Sequence, residues 1–265
     1  MTSDPKIGAA SNVFWIAITF AAALVWAFWS QTWAWHEARQ MEKSDACLAP
    51  VPGPLPDQSA SRAAGSKQTY FGYEFEIPWS APETIKQTST LVNLVFRGDF
   101  GVVFWNPAER HNFIHDVTTN GQRLEMRKFL GAVIGRDAAQ SDYNFLRGQL
   151  EATPSQVLPM QSKREANSRL TLLRMKSLDC SQKPSAFYSF KWQELKCFQI
   201  GDASKDFHIE VRCFDLDDRE FNFLFGVRKG SSLKISQWDV NRVVQTLHPA
   251  ERSSTKPAAT NPPKN

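Results

Sequence analysis

The constellations that usually betray an activity are missing from this chain of 265 residues. It has four cysteines (Cys47, Cys180, Cys197 and Cys213), and they form no C-x-x-C pair and have no histidine at zinc-finger spacing, which excludes the common zinc modules. There is no P-loop, no dinucleotide fingerprint and no G-x-S-x-G elbow, so the sequence offers neither a phosphate cradle nor that form of hydrolase nucleophile. Charge of one sign is scarce too. With 31 Lys and Arg against 27 Asp and Glu, the net charge of +4 is too small for a nucleic-acid-binding protein, which concentrates basic charge on one face. No internal repeat is visible. The charged share of 22% and aromatic share of 12% belong to a folded protein rather than a disordered one.

Ionisable side chains are also absent from Ile7 to Trp35, and this absence is informative. Residues 13–35 would span roughly 35 Å as a helix, enough to cross a bilayer. Trp15 stands near one end and Trp26, Trp29, Trp33 and Trp35 crowd the other, as interfacial aromatics do. A cleaved signal peptide needs a shorter apolar core with a small-residue cleavage site, and a lipoprotein needs apolar residues before its cysteine, where Ser44-Asp45-Ala46 stands instead. The expectation is a single-pass signal anchor, with residues 1–12 as the tail before it. Lys6 on one side nearly balances Arg39 and Lys43 on the other, so the positive-inside rule does not choose an orientation. A short tail before a long domain favours a domain outside the cytoplasm.

Residues 36–68 contain Pro50, Pro52, Pro54 and Pro56 among small and polar residues, which reads as a semi-rigid linker lifting the domain off the membrane. Residues 69–248 carry the periodicity of a globular domain, and 249–265 read as a disordered tail. Seven strands are predicted over 71–77, 91–96, 101–105, 186–192, 195–200, 207–214 and 220–227, the 102–105 stretch being apolar on both faces and hence central. Helices are predicted from Asn106-Pro107 to Val117, over 122–134, over 142–152 behind Ser141, over 163–178 and over 237–247 behind Ser236. Strands, helices, strands and a closing helix define an α+β domain, an antiparallel sheet of about seven strands packed with helices.

The cysteine count would suit two disulfides in an oxidising compartment. Alternation, however, places Cys213 with Phe207, Ile209 and Val211, and sets Cys197 against Phe198 and Ile200 on the opposite side of its strand. Buried free thiols are therefore expected, with disulfides as the alternative.

The opening strand ending in Ile77-Pro78-Trp79, the helical middle, the late meander and the helix ending in Val243-Val244-Gln245-Thr246-Leu247 resemble PsbP-like domains. The resemblance covers most of 70–248 and implies an α/β/α sandwich and a non-catalytic accessory or assembly role. It transfers no catalytic residues, and Pro107–Cys180 is longer than the family pattern.

Candidate chemistry is thin. His111 and His115 stand four apart, a possible metal pair on one helix face, but Phe113, Ile114 and Val117 mark the buried side and a third ligand is missing. His36-Glu37 opens like a zinc-protease motif, yet Gln40 stands where the second histidine belongs. Gly131 to Gly135 has a small-xxx-small spacing that marks close packing or a helix end. Lys163, Arg164, Arg169, Arg174 and Lys176 make one helix basic, which could meet anionic headgroups but for the spacer holding the domain away. Asp215, Asp217 and Asp218 lack the calcium-loop pattern and read as a hairpin turn. The expectation is a membrane-anchored, non-catalytic interaction module with no cofactor, a protein partner in or near the membrane, and Trp79, Trp192 and Phe214 as exposed contact aromatics. A domain for a small apolar or lipidic ligand is the alternative. An enzyme, hydrolytic or metal-dependent, would need His111, His115 or His208 to meet carboxylates or a cysteine in one cleft.

Overall fold

The computed structural model describes residues 18, 29, 32–62, 65–108, 128–135, 141–159, 161–228 and 235–250. All seven expected strands are present, as β3 (Tyr73–Ile77), β5 (Leu91–Phe96), β6 (Phe100–Trp105), β7 (Phe187–Trp192), β8 (Leu195–Ile200), β9 (His208–Phe214) and β10 (Glu220–Val227). Four more join them: β1 (Gly53–Pro54), β2 (Ser66–Tyr70), β4 (Thr84–Gln87) and β11 (His248–Pro249). They form an eight-stranded sheet in the order β1-β7-β8-β9-β10-β6-β5-β4, antiparallel except where β1 meets β7, and a three-stranded sheet β11-β3-β2. The domain is therefore mixed α+β, with a large sheet packed by helices.

Helices are α1 (residues 32–44), α2 (residues 128–134), α3 (Asp142–Glu151), α4 (Lys163–Asp179) and α5 (Gln237–Gln245). Their starts follow from local chemistry. Ser141, Ser162 and Ser236 each accept a backbone N–H from the third residue on, and Ser236 with Asp239 completes a capping box. Gly135, at φ 88°, ends α2 in the left-handed conformation that glycine tolerates. Asn106 accepts from the amide of Ala108, as a helix cap would, but residues 109–127 lie outside the described residues, and with them the expected 106–117 helix and the start of the next.

The two faces of the large sheet differ. On one, Phe104, Phe223 and Phe225 pack with Val102, Ile209 and Val211 beneath the small sheet's Phe75 and Ile77 and the Val240, Val243 and Val244 face of α5. Phe75 meets Phe104 and Phe223 edge-on at 5.3 and 5.2 Å, a favoured geometry for aromatic quadrupoles. On the other face Phe187, Phe198, Ile200 and Phe214 meet Leu146 and Leu150 of α3. The helices α2, α3 and α4 share a further cluster with Ala34 and Ala38 of α1.

Several expectations are corrected. Cys47 bonds Cys180 and Cys197 bonds Cys213, so the cysteines are not free thiols. Cys197 and Cys213 are direct partners across β8 and β9 and so share a face, with Cα atoms 4.1 Å apart. Residues 36–68 are not a spacer. Residues 36–44 complete α1, and residues 45–62 run along the domain as a strap with Leu48 and Leu55 buried. The strap's Asp57 and Ser59 carbonyls accept from Asn241 at 3.0 and 2.8 Å, fastening it to α5. The domain begins before residue 69, because β2 starts at Ser66. Pro249 belongs to β11 and Ala250 donates its amide to the Gly72 carbonyl, so the tail cannot start at 249; residues 251–265 lie outside the described residues. Among the described residues no helix is long and apolar enough to cross a membrane, and most of the 13–35 segment lies outside them.

Candidate functional site

A groove of about 510 Å³ opens where the β7–β8 turn approaches β11. Its apolar wall comes from Tyr73, Trp192, Leu195, Phe221 and Leu247. Each is delivered by strand register or by the exit of α5: Trp192 faces Leu195 across the turn, and Tyr73 stacks edge-on against Phe221 at 5.0 Å. Trp192 is fixed by its indole N–H, which donates to the Gln245 carbonyl at 3.2 Å. Gln193 reaches the tight turn at φ 49°.

Charges of both signs rim the groove. Glu194, Asp215 and Arg219 line it together with the imidazole of His248. Arg219 donates to the Tyr73 hydroxyl, and that hydrogen bond, with the nearby Asp215, holds its guanidinium above the ordinary value. His248 stands 3.4 Å from the Glu74 carboxylate. Arg219 also stands 4.0 Å from the Asp215 carboxylate, so the groove has a polar, adhesive rim around its apolar wall.

No family model matches the chain, and no curated protein or solved structure matches it either.

Of the three aromatics expected as contacts, the structure leaves Trp192 at a groove. Phe214 is a correction: it is buried beside Tyr143, because in β9 the even-numbered face turns toward α3 rather than to solvent. Trp79 is half-buried against Phe96, Phe100 and Phe225. His111 and His115 lie outside the described residues. His208 is exposed at the start of β9, and all four cysteines are bonded, so no thiol is left to pair with it. Glu37 of the His36-Glu37 pair accepts from Arg174 at 2.6 Å and docks α1 onto α4.

Lys176 and the ion-pair cluster around Arg212 escape a reading of the sequence. Lys176, expected on a solvated basic face, is fully buried. Its ammonium donates to the carbonyls of Leu48, Pro50 and Ala152 at 3.1, 2.6 and 2.9 Å, pinning the strap. Burial lowers its pKa to about 8, against the opposing pull of Asp179. Its spacing from Leu172 and Leu173 places it on the apolar stripe of α4, which is the signal that could have revealed it. Arg212 lies under α4 within salt-bridge distance of Asp179, Glu210 and Glu220 at 3.6, 2.6 and 3.8 Å. Burial disfavours its charge, but the three carboxylates outweigh burial and hold it protonated. Burial raises the Asp179 carboxyl, with Arg212 opposing. The gap beside this cluster is only about 10 Å³, room for about one water and no substrate, so the cluster joins sheet to helix.

The acidic turn is a hairpin turn, as expected, but Asp218 has a further task. Its carboxylate accepts from the Ser141 hydroxyl and from the amides of Asp142 and Tyr143, capping α3 from a different element. Asp218→Ala should therefore cost about 1–2 kcal/mol, the worth of a lost cap, measured as a shift in denaturant midpoint with an unchanged slope. An unaltered midpoint would show that Ser141 caps α3 unaided.

Proposed function

We propose that this chain is a membrane-tethered, non-catalytic interaction module whose domain lies outside the cytoplasm and takes an extended segment of a protein partner in the Trp192 groove. The groove carries the reading: its wall is aromatic and aliphatic, and charged side chains of both signs on its rim match a polypeptide better than a single small ion. The apolar run of residues 7–35 supports the tether, and two disulfides suit an oxidising compartment. The accessory role implied by the PsbP-like resemblance belongs to the same proposal.

A volume of about 510 Å³ also suits the second reading, a small apolar or lipidic ligand. Photo-cross-linking in native membranes separates the two. A photoreactive residue at Gln193 should capture one reproducible protein, and the adduct should vanish in Leu195→Asp and be absent with the probe at Lys86 on the far edge strand. No protein adduct, with a lipid or small molecule in the mass spectrum of the purified chain, would replace the first reading by the second.

A further inference from the structure

Tether and domain are fixed to each other by a pair of helices. Along α1 and its extension, Glu37 meets Arg174 and Cys47 bonds Cys180, so contacts advance in the same direction on both chains and α1 runs in the same sense as α4. Ala34 and Ala38 are fully buried in the interface. Parallel packing sends the N-terminal end of α4 toward the N-terminal end of α1. Lys163 lies about three turns, roughly 16 Å, ahead of Arg174, and Trp29 lies about two turns, roughly 12 Å, ahead of Glu37. The first turn of α4 thus reaches the level of Trp29, which is helical and 63% exposed. Trp33 is 48% exposed, and the Arg174 guanidinium stands 5.8 Å from its ring centre.

Cations lead at that end. Lys163 and Arg164 are exposed, and among the described residues Arg164 donates to a backbone carbonyl, that of Lys128, which brings a third basic residue alongside. The nearest acid on the helix, Glu165, is engaged by Arg169 at 3.1 Å. The N-terminal amides of α4 add partial positive charge of their own. From this geometry we infer that the first turn of α4, through Lys163 and Arg164, seats the domain on the headgroups of anionic phospholipids in the leaflet from which α1 emerges. The inference rests on the tether reading. It removes the one objection to such contact, because the proline-rich segment straps the domain instead of lifting it.

The test uses the full chain reconstituted into liposomes of phosphatidylcholine, with or without phosphatidylglycerol, read by hydrogen exchange. The first amides of a helix lack intrahelical acceptors and exchange fast, so a covering headgroup layer slows them visibly. The amides of Lys163 and Arg164 should exchange at least several-fold more slowly in the anionic liposomes. Lys163→Gln with Arg164→Gln should abolish the difference, since each cation near an anionic surface is worth about fivefold in local binding. Salt at about 0.5 M should do the same to the unaltered chain, and Lys86→Gln should change nothing. Equal exchange in both liposomes, with the chain resisting alkaline extraction, would overturn the headgroup contact and leave the tether standing. A chain released by alkaline extraction would overturn the tether. Its sedimentation with anionic but not neutral liposomes would still sustain the surface, and sedimentation with neither would end both.

Discussion

Replacing Cys47 and Cys180 together by serine should destabilise the domain more than the equivalent change at Cys197 and Cys213. The first bond joins residues 133 apart in sequence and the second residues only 16 apart. Loop-closure entropy removed from the unfolded chain grows with the logarithm of that separation, giving about 5 kcal/mol for the first and about 3 kcal/mol for the second. The larger loss has a local counterpart. Cys47 opens the strap, and the short turn Ala46–Leu48 that holds it is bonded to the end of α4. Without the crosslink, α1 keeps Ala34, Ala38 and the Glu37–Arg174 pair but loses its covalent stop, so its amides should exchange faster than those of β9 and β10. Urea unfolding of the two double variants decides the matter. If the hairpin pair proves the costlier to remove, the strap is not a principal element of stability.

The second large effect is a pH dependence owed to Lys176. Its pKa is about 8 in the folded chain and 10.5 as the ordinary value, so between those limits the unfolded chain binds more protons. Stability then rises with pH through that window, by about 3 kcal/mol in all, and is flat with respect to this group below it. The cause is the desolvated ammonium, whose cost is relieved once the proton leaves. Lys176→Met should erase the rise. At pH 7 it should also lower stability by roughly 2–4 kcal/mol, because the carbonyls of Leu48, Pro50 and Ala152 lose their donor together. Denaturation at pH 7 and pH 10 with both proteins gives the comparison. A parallel rise in both would assign the alkaline gain to another group.

What can be read from the chain beforehand divides along physical lines. Strands β5 and β9 and helices α3 and α5 announce themselves because each buries mainly one face against the core, leaving a period of two or of 3.6 with a serine at each helix start, whereas β6 shows as a run apolar on both faces. β2 and β4 do not. They are edge strands, and all four residues of β4 are exposed, so neither carries an apolar alternation. Cys197 misleads for the opposite reason. Cys197, Phe198, Gln199 and Ile200 are all buried, so alternation has no polar side to refer to, and only the register with β9 shows which face holds the sulfur. Proline content makes the strap look like a spacer, since composition reports the conformation of an extended chain but not whether side chains such as Asn241 and Lys176 take its carbonyls. The groove is legible only at Trp192, because Tyr73, Phe221 and Leu247 come from three separate elements and form no local motif.

The pairing of the sulfurs has a consequence for biosynthesis. The first cysteine bonds the second and the third bonds the fourth, with no interleaving. Wherever oxidation proceeds as the chain emerges from its N-terminus, each thiol meets its native mate before any wrong one is available. Cys47 waits for Cys180, and Cys197 then has only Cys213 left to find. In that setting the native pairs form without the slow reshuffling that interleaved disulfides require.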